Sequence, residues 1–211
     1  MALRSSTSLA AVVLVAAAWG GLSASPARAN LVTNGSFELP TYSMPGGFFP
    51  TSIPGWSLSN GIEIQKGIYT AQDGSQYAEL DVINNTSISQ TLSIIPGALS
   101  TIEFYYSPRP GQPASTLGLD VKLDGNTIFS LAADGSSLSN TNWTLYTYTY
   151  TPSTSSANLV FTGTGTSDTF GAFVDNVSYS QVPGPLPLMG AGVAFGLSRK
   201  LRRRITAASL R

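Results

Sequence analysis

Between Leu117 and Leu123 the chain alternates strictly: Leu117, Leu119, Val121 and Leu123 are separated by Gly118, Asp120 and Lys122. A period of two puts the four apolar side chains on one face of a strand, and no helix can do the same. Asp124-Gly125-Asn126 follows, then "TIFSL". Asp-Gly tolerates the positive φ of a primed turn, so the stretch predicts a β-hairpin. "TSISQTLSII" (86–95), "STIEFYYS" (100–107), "WTLYTYTYT" (143–151), "ANLVFTG" (157–163) and "FGAFVDNVSYS" (170–180) are likewise rich in β-branched and aromatic residues. Gly, Pro, Asn and Asp separate them, and no long stretch carries a helical period. The pattern predicts an all-β fold, an antiparallel β-sandwich of jelly-roll type. Residues 39–55, "LPTYSMPGGFFPTSIPG", read as a long loop.

The composition narrows the chemistry. Hydrophobic residues make up 42% of the 211, enough for a core, and charged residues only 10%. There is no cysteine and no histidine. This removes disulfides, thiolate metal sites, cysteine nucleophiles, the usual zinc ligand and any Ser-His-Asp triad. Formal net charge is zero, yet all eleven acidic residues lie between Glu38 and Asp175, beside only Lys66, Arg109 and Lys122. An acidic body argues against nucleic-acid binding.

The basic residues sit at the ends. Arg4, the apolar run Leu9–Trp19 and Ala27-Arg28-Ala29 have the order of a secretory signal peptide. Cleavage after Ala29 makes Asn30 the mature N-terminus; the alternative is a buried N-terminal helix. At the other end, the apolar run Leu186–Leu197 is about a dozen residues long, against the ~20 that a straight membrane helix needs. Arg199, Lys200, Arg202, Arg203 and Arg204 follow it directly, as in a segment held with its tail in the cytoplasm. The expected organisation is a signal helix over 1–29, a domain over 30–181, and a tail over 182–211 with a short hydrophobic helix.

Val182-Pro183-Gly184-Pro185, the short apolar run and the arginine cluster together resemble the PEP-CTERM sorting signal of Gram-negative bacteria, including cyanobacteria. Gly184 stands where that signal usually has glutamate. The resemblance implies processing by an exosortase, a transient stay in the inner membrane, and delivery to the cell surface or exopolysaccharide matrix. A permanent single-span anchor and a basic tail that binds nucleic acid or anionic lipid are the alternatives.

The domain carries its own ordered motifs: "NGSFE" (34–38), "IPGW" (53–56), "DGSQYAEL" (73–80), "ISQTL" (88–92), "PGALSTIEFYYS" (96–107) and "FGAFVDNVSYS". Their order resembles the galactose-binding-like jelly rolls, especially the choice-of-anchor C proteins and their plant cell-wall relatives. The resemblance implies a structural calcium that pins the first strand to the last. Glu38 and Asp175 would be its carboxylate ligands, with Asn34 nearby. The other reading of both carboxylates is that they cap turns or bind backbone amides.

A polysaccharide partner would call for aromatic faces, and Trp56, Tyr77, Tyr105, Trp143, Tyr146, Tyr148 and Tyr150 are the available ones. Tyr105 and the co-facial Tyr146, Tyr148 and Tyr150 are the candidate sugar contacts; core packing is the other reading. Trp56 follows Pro54-Gly55 and reads as a core or loop anchor. Glu79 and Asp81 are two apart and would share a strand face, the minimum for a carboxylate-dependent glycan-degrading enzyme. The leading expectation is an exported, non-enzymatic polysaccharide-binding module without an organic cofactor. Such an enzyme, and a purely structural matrix protein, are the alternatives.

Overall fold

The computed structural model of the protein describes residues 29–182. The expected signal segment through Arg28, and the expected tail from Pro183 through the Arg199–Arg204 cluster, lie outside the described residues. The hairpin forms as the alternation predicts. Asp124 and Gly125 take φ values of 49° and 81°, and Leu123 pairs with Asn126 across the two-residue turn.

Eleven strands are described: β1 (Gly46–Phe48), β2 (Ser57–Leu58), β3 (Glu63–Lys66), β4 (Gln76–Glu79), β5 (Ser87–Ser93), β6 (Leu99–Ser107), β7 (Gly118–Leu123), β8 (Asn126–Leu131), β9 (Thr144–Tyr150), β10 (Ser156–Thr164) and β11 (Phe173–Val182). They form a six-stranded sheet in the order β1-β3-β4-β11-β6-β9 and a five-stranded sheet in the order β2-β5-β10-β7-β8. Every strand pairing is antiparallel. The long β10 and β11 each lie between strands distant in sequence, as expected of a jelly-roll sandwich. The segment expected to be one long loop contains β1, which lengthens the six-stranded sheet beside β3.

The core fills the space between the sheets. Ile64, Ala78, Val174, Ile102, Phe104 and Tyr106 point inward from the six-stranded sheet to meet Ile88, Leu92, Leu119, Val121, Leu159 and Phe161. Phe104 is central: its ring lies 5.2 Å from Phe161, 5.5 Å from Phe129 and 5.5 Å from Tyr146. Among the described residues the buried cluster runs from Val32 to Tyr179, and a fragment spanning 30–182 contains all of it.

The first residues of the domain clasp the last strand. Asn30 Oδ1 accepts the N–H groups of Val32 and Tyr179, each at 3.0 Å, and the Leu31 N–H donates to Tyr179 at 2.8 Å. Val177 N–H then donates to Gly35 at 2.9 Å. A β-carbon on Gly35 would collide with the Val177 carbonyl, so this approach requires glycine. Phe37 and Trp56 stack 5.6 Å apart in the core, and the Trp56 indole N–H donates to the Asn34 carbonyl at 3.1 Å. Trp56 is therefore the core anchor expected.

Candidate functional site

A sheet with one face on the core leaves the other for solvent or ligand. The register fixes what the outer face of the six-stranded sheet carries. Glu63 lies opposite Glu79, Glu79 opposite Phe173, and Phe173 opposite Ser107. In the next outward row Gln65 lies opposite Tyr77, and Asp175 opposite Tyr105, which in turn faces Leu145. Polar and aromatic residues thus line a face on which Gln65, Tyr77, Glu79, Ser107 and Asp175 are buried. Loops cover them, the β3–β4 loop and the loop before β9 among them.

The β3–β4 loop is held by side chains far away in sequence. Its N–H groups at Tyr69, Thr70, Gln72, Asp73 and Ser75 donate to Tyr77 Oη, Asn140 Oδ1, Asp175 Oδ2 twice, and Glu38 Oε1, at 3.2, 3.0, 2.8, 3.0 and 2.6 Å. The loop before β9 closes over it. Trp143 Nε1 and Thr141 Oγ1 both donate to the Thr70 carbonyl, at 2.9 and 2.6 Å, and Asn140 Nδ2 donates to Thr70 Oγ1 at 2.8 Å. Asn142 N–H reaches Ser107 Oγ at 2.9 Å, which anchors this second loop to the sheet. So many tied amides constrain both loops, and a precise site needs such support.

A groove of about 530 Å³ opens where the two loops meet, lined by Gly67, Ile68, Tyr69, Thr70, Ser139 and Asn140. Trp143 packs against Tyr77, ring to ring at 5.8 Å, and Tyr77 packs on Phe173 at 4.9 Å. Apart from the phenol of Tyr69, the lining offers hydroxyl, amide, backbone and apolar groups, with no carboxylate or cation. Such a surface suits a neutral polar ligand that presents hydroxyl groups and an apolar ring face. No motif or period in the sequence points to Thr70, Ser139 or Asn140. Their only signal is membership of two Gly/Ser/Thr/Asn-rich loops, and nothing in the sequence joins stretches 70 residues apart.

The acidic residues are mostly occupied in holding loops. Glu79 is fully buried; its Oε1 accepts the N–H groups of Asp81, at 3.1 Å, and Gly171, while Oε2 has no partner among the described residues. Burial, reinforced by Glu63 opposite, pushes the Glu79 carboxyl up to about 8. Asp81 Oδ2 accepts the N–H groups of Asp168 and Thr169 at 2.9 and 3.1 Å, and Oδ1 accepts the Ser167 hydroxyl. Glu79 and Asp81 therefore anchor the loop before β11 and do not face a common substrate space. Arg109 lies over the rings of Phe170 and Phe173, at 4.8 and 5.6 Å from their centroids.

The residues considered for calcium are engaged in the same way. Glu38 Oε1 accepts the N–H groups of Ser75 and Gln76 at 2.6 and 2.7 Å, and Oε2 accepts the Ser75 hydroxyl. Asp175 accepts three backbone N–H groups, from Gln72, Asp73 and Asn176. Its burial outweighs them and pushes the carboxyl up to about 7. Asn34 Oδ1 accepts the Leu39 N–H at 3.1 Å. A calcium site draws six to eight oxygen lone pairs onto one point, and here N–H and O–H donors take up part of that capacity. Among the described residues no group of three or more Asp or Glu is placed to hold a metal ion.

The tyrosines divide between the two faces. Tyr146, Tyr148 and Tyr150 do share one face, but it is the inner one. They lie opposite Phe104, Ile102 and Ser100 of β6, and pack against Phe129, Tyr179 and one another. Strict alternation fixes that they agree, while the neighbouring strand decides which way they point. The Tyr150 and Tyr179 hydroxyls meet at 2.8 Å at the rim of the core. Tyr105 alone of the four points outward, half-buried beside Asp175. Tyr146, Tyr148 and Tyr150 thus pack half-buried at the edge of the core, the other reading of these aromatics.

Comparison with known proteins places the chain. A family model described as "Protein of unknown function (DUF642)" matches residues 30–180. A stretch of 154 residues, 70% of the chain, is 29% identical to the "Multifunctional-autoprocessing repeats-in-toxin" of Vibrio cholerae serotype O1. The chain spans 3% of the length of that toxin. Among solved structures, a cyclase from Fischerella sp. TAU matches with a TM-score of 0.53 at 14% identity, over 75% of this chain and 100% of that one. TmCBM61, solved with beta-1,4-galactotriose, matches with a TM-score of 0.48 at 14% identity, over 73% and 99%. At such identity the cyclase likeness speaks for the fold alone.

Proposed function

The chain belongs to the DUF642 family, and from that premise we propose that it is an exported, non-enzymatic protein whose domain binds a neutral polysaccharide. The groove between the β3–β4 loop and the loop before β9 is the binding site. One observation carries this reading: two loops locked together at Thr70 present hydroxyl and amide groups beside Tyr69, with no carboxylate or cation in the lining. Sugars are bound by such combinations, with hydrogen bonds to hydroxyls and an apolar ring face against aromatic or aliphatic carbon. The placement of Glu79 and Asp81 supports a binding role over hydrolysis, because both carboxylates hold backbone amides.

The ends of the sequence supply the address. The N-terminal segment is a signal peptide cleaved before Asn30. The tail from Val182 is a sorting signal handled by an exosortase in the inner membrane of a Gram-negative-type bacterium, and the domain works at the cell surface or in the matrix. Sedimentation of the 30–182 fragment with insoluble neutral polysaccharides tests the binding, and no co-sedimentation with any of them would count against it. Deletion of 183–211 tests the address. The truncated protein is expected to stay in the periplasm, and unchanged surface delivery would contradict the sorting role.

A further inference from the structure

A strand at the edge of a sheet has one paired side and one side of free N–H and C=O groups, and natural proteins blunt such edges by shortness, charge, proline or a bulge. The sandwich has four edges. β1 is three residues long and β2 two. β8 is joined to β7 through a register shift. β9 has none of these protections. It runs seven residues, Thr-Leu-Tyr-Thr-Tyr-Thr-Tyr, pairs with β6 without a register break, and contains no charge, proline or glycine.

The side chains make this edge self-complementary. An antiparallel pairing of β9 with a second β9, centred on Thr147, sets Thr147 against its own copy and Tyr146 against the partner's Tyr148. All paired residues have matching parity, so inner faces stay inner and outer faces stay outer. No like charges meet. The inner tyrosine row is already a ladder, with Tyr148 stacked on Tyr150 at 5.7 Å, and its half-buried rings lie along this edge. Aromatic cross-strand pairs are among the stronger contributors to sheet pairing.

We propose that β9 is a homodimerisation edge, through which two copies join their six-stranded sheets into one across a twofold axis at Thr147. The interface is isologous, as expected of a closed dimer. It sets two outer faces side by side, but it does not depend on what those faces bind.

The chain has no cysteine, so a single introduced one reports the geometry cleanly. In the 30–182 fragment, Thr147→Cys is expected to form a disulfide-linked dimer on mild oxidation, at least about tenfold faster than Thr127→Cys on the exposed β8 edge. Analytical ultracentrifugation of the unmodified fragment is expected to give twice the monomer mass. The double variant Thr147→Lys/Thr149→Lys, whose exposed positions allow the fold to persist, is expected to be monomeric while still unfolding in one cooperative transition. A monomeric unmodified fragment at every concentration, a dimer that survives both lysines, or equal cross-linking at positions 147 and 127 would overturn the proposal.

Discussion

The indole N–H of Trp143 donates to the carbonyl oxygen of Thr70 at 2.9 Å, across 73 residues of sequence. This bond locks one wall of the groove to the other. Trp143→Phe keeps a ring against Tyr77 and removes the donor. A neutral hydrogen bond contributes about 0.5–1.5 kcal/mol, so glycan affinity is expected to fall by a few-fold to about tenfold. Trp143→Ala, which also removes the ring, is expected to lose more. Titration of both variants, with melting curves to confirm folding, checks the order.

Glu79 makes the stability of the domain depend on pH in an unusual direction. Its carboxyl is raised in the folded state to about 8, from an ordinary value of 4.5. Between those two values the folded form holds a proton that the unfolded form has lost, so stability falls as pH rises. The contribution is complete below about pH 4.5 and is lost progressively as pH climbs through about 8, at up to about 1.4 kcal/mol per pH unit. Glu79→Gln keeps an oxygen for the Asp81 and Gly171 amides and cannot ionise. Melting temperatures at pH 5 and pH 8.5 are expected to differ less in this variant than in the parent.

Asp175 and Glu38 pin the β3–β4 loop from opposite ends of the domain sequence, much as a cross-link would. A hydrogen bond contributes about 0.5–1.5 kcal/mol, more where the acceptor is charged, and orphaned buried donors add to the loss. Asp175→Ala and Glu38→Ala are each expected to destabilise the domain by at least about 2 kcal/mol in urea denaturation. Because N–H groups occupy these carboxylates, addition of a chelator is expected to leave the melting temperature of the parent unchanged. A fall on chelation would mean that a cation stabilises the folded form.

The Tyr150–Tyr179 hydroxyl pair ties β9 to β11 at the rim of the core. Tyr150→Phe and Tyr179→Phe are each expected to cost about 1 kcal/mol. Both remove the same bond, so the double variant is expected to cost less than the two single losses together. Denaturation of the three proteins closes the cycle.

The strands were legible where one residue pattern decides the outcome. Asp124-Gly125 specified its turn, and the alternation around Val121 specified an inward face. β1 was hidden because Gly46 and Gly47 carry no alternation. Gly47 lies against the end of the Glu63 side chain, which can swing aside for a β-carbon, so the contact does not by itself demand glycine. The period of β9 groups its tyrosines on one face, but their direction belongs to β6, which that period does not contain. The groove was invisible for the same reason on a larger scale: Thr70 and Asn140 become neighbours only when β4, β11, β6 and β9 lie side by side.

A glycan array probed with the 30–182 fragment, beside Asn140→Ala, bears most directly on the central claim. Asn140 joins the two loops through Thr70 and lines the groove. Binding to neutral glycans by the parent, weakened at every bound glycan in the variant, is the predicted result. An array left blank by a folded parent, or binding that Asn140→Ala does not alter, would contradict a glycan site between these loops.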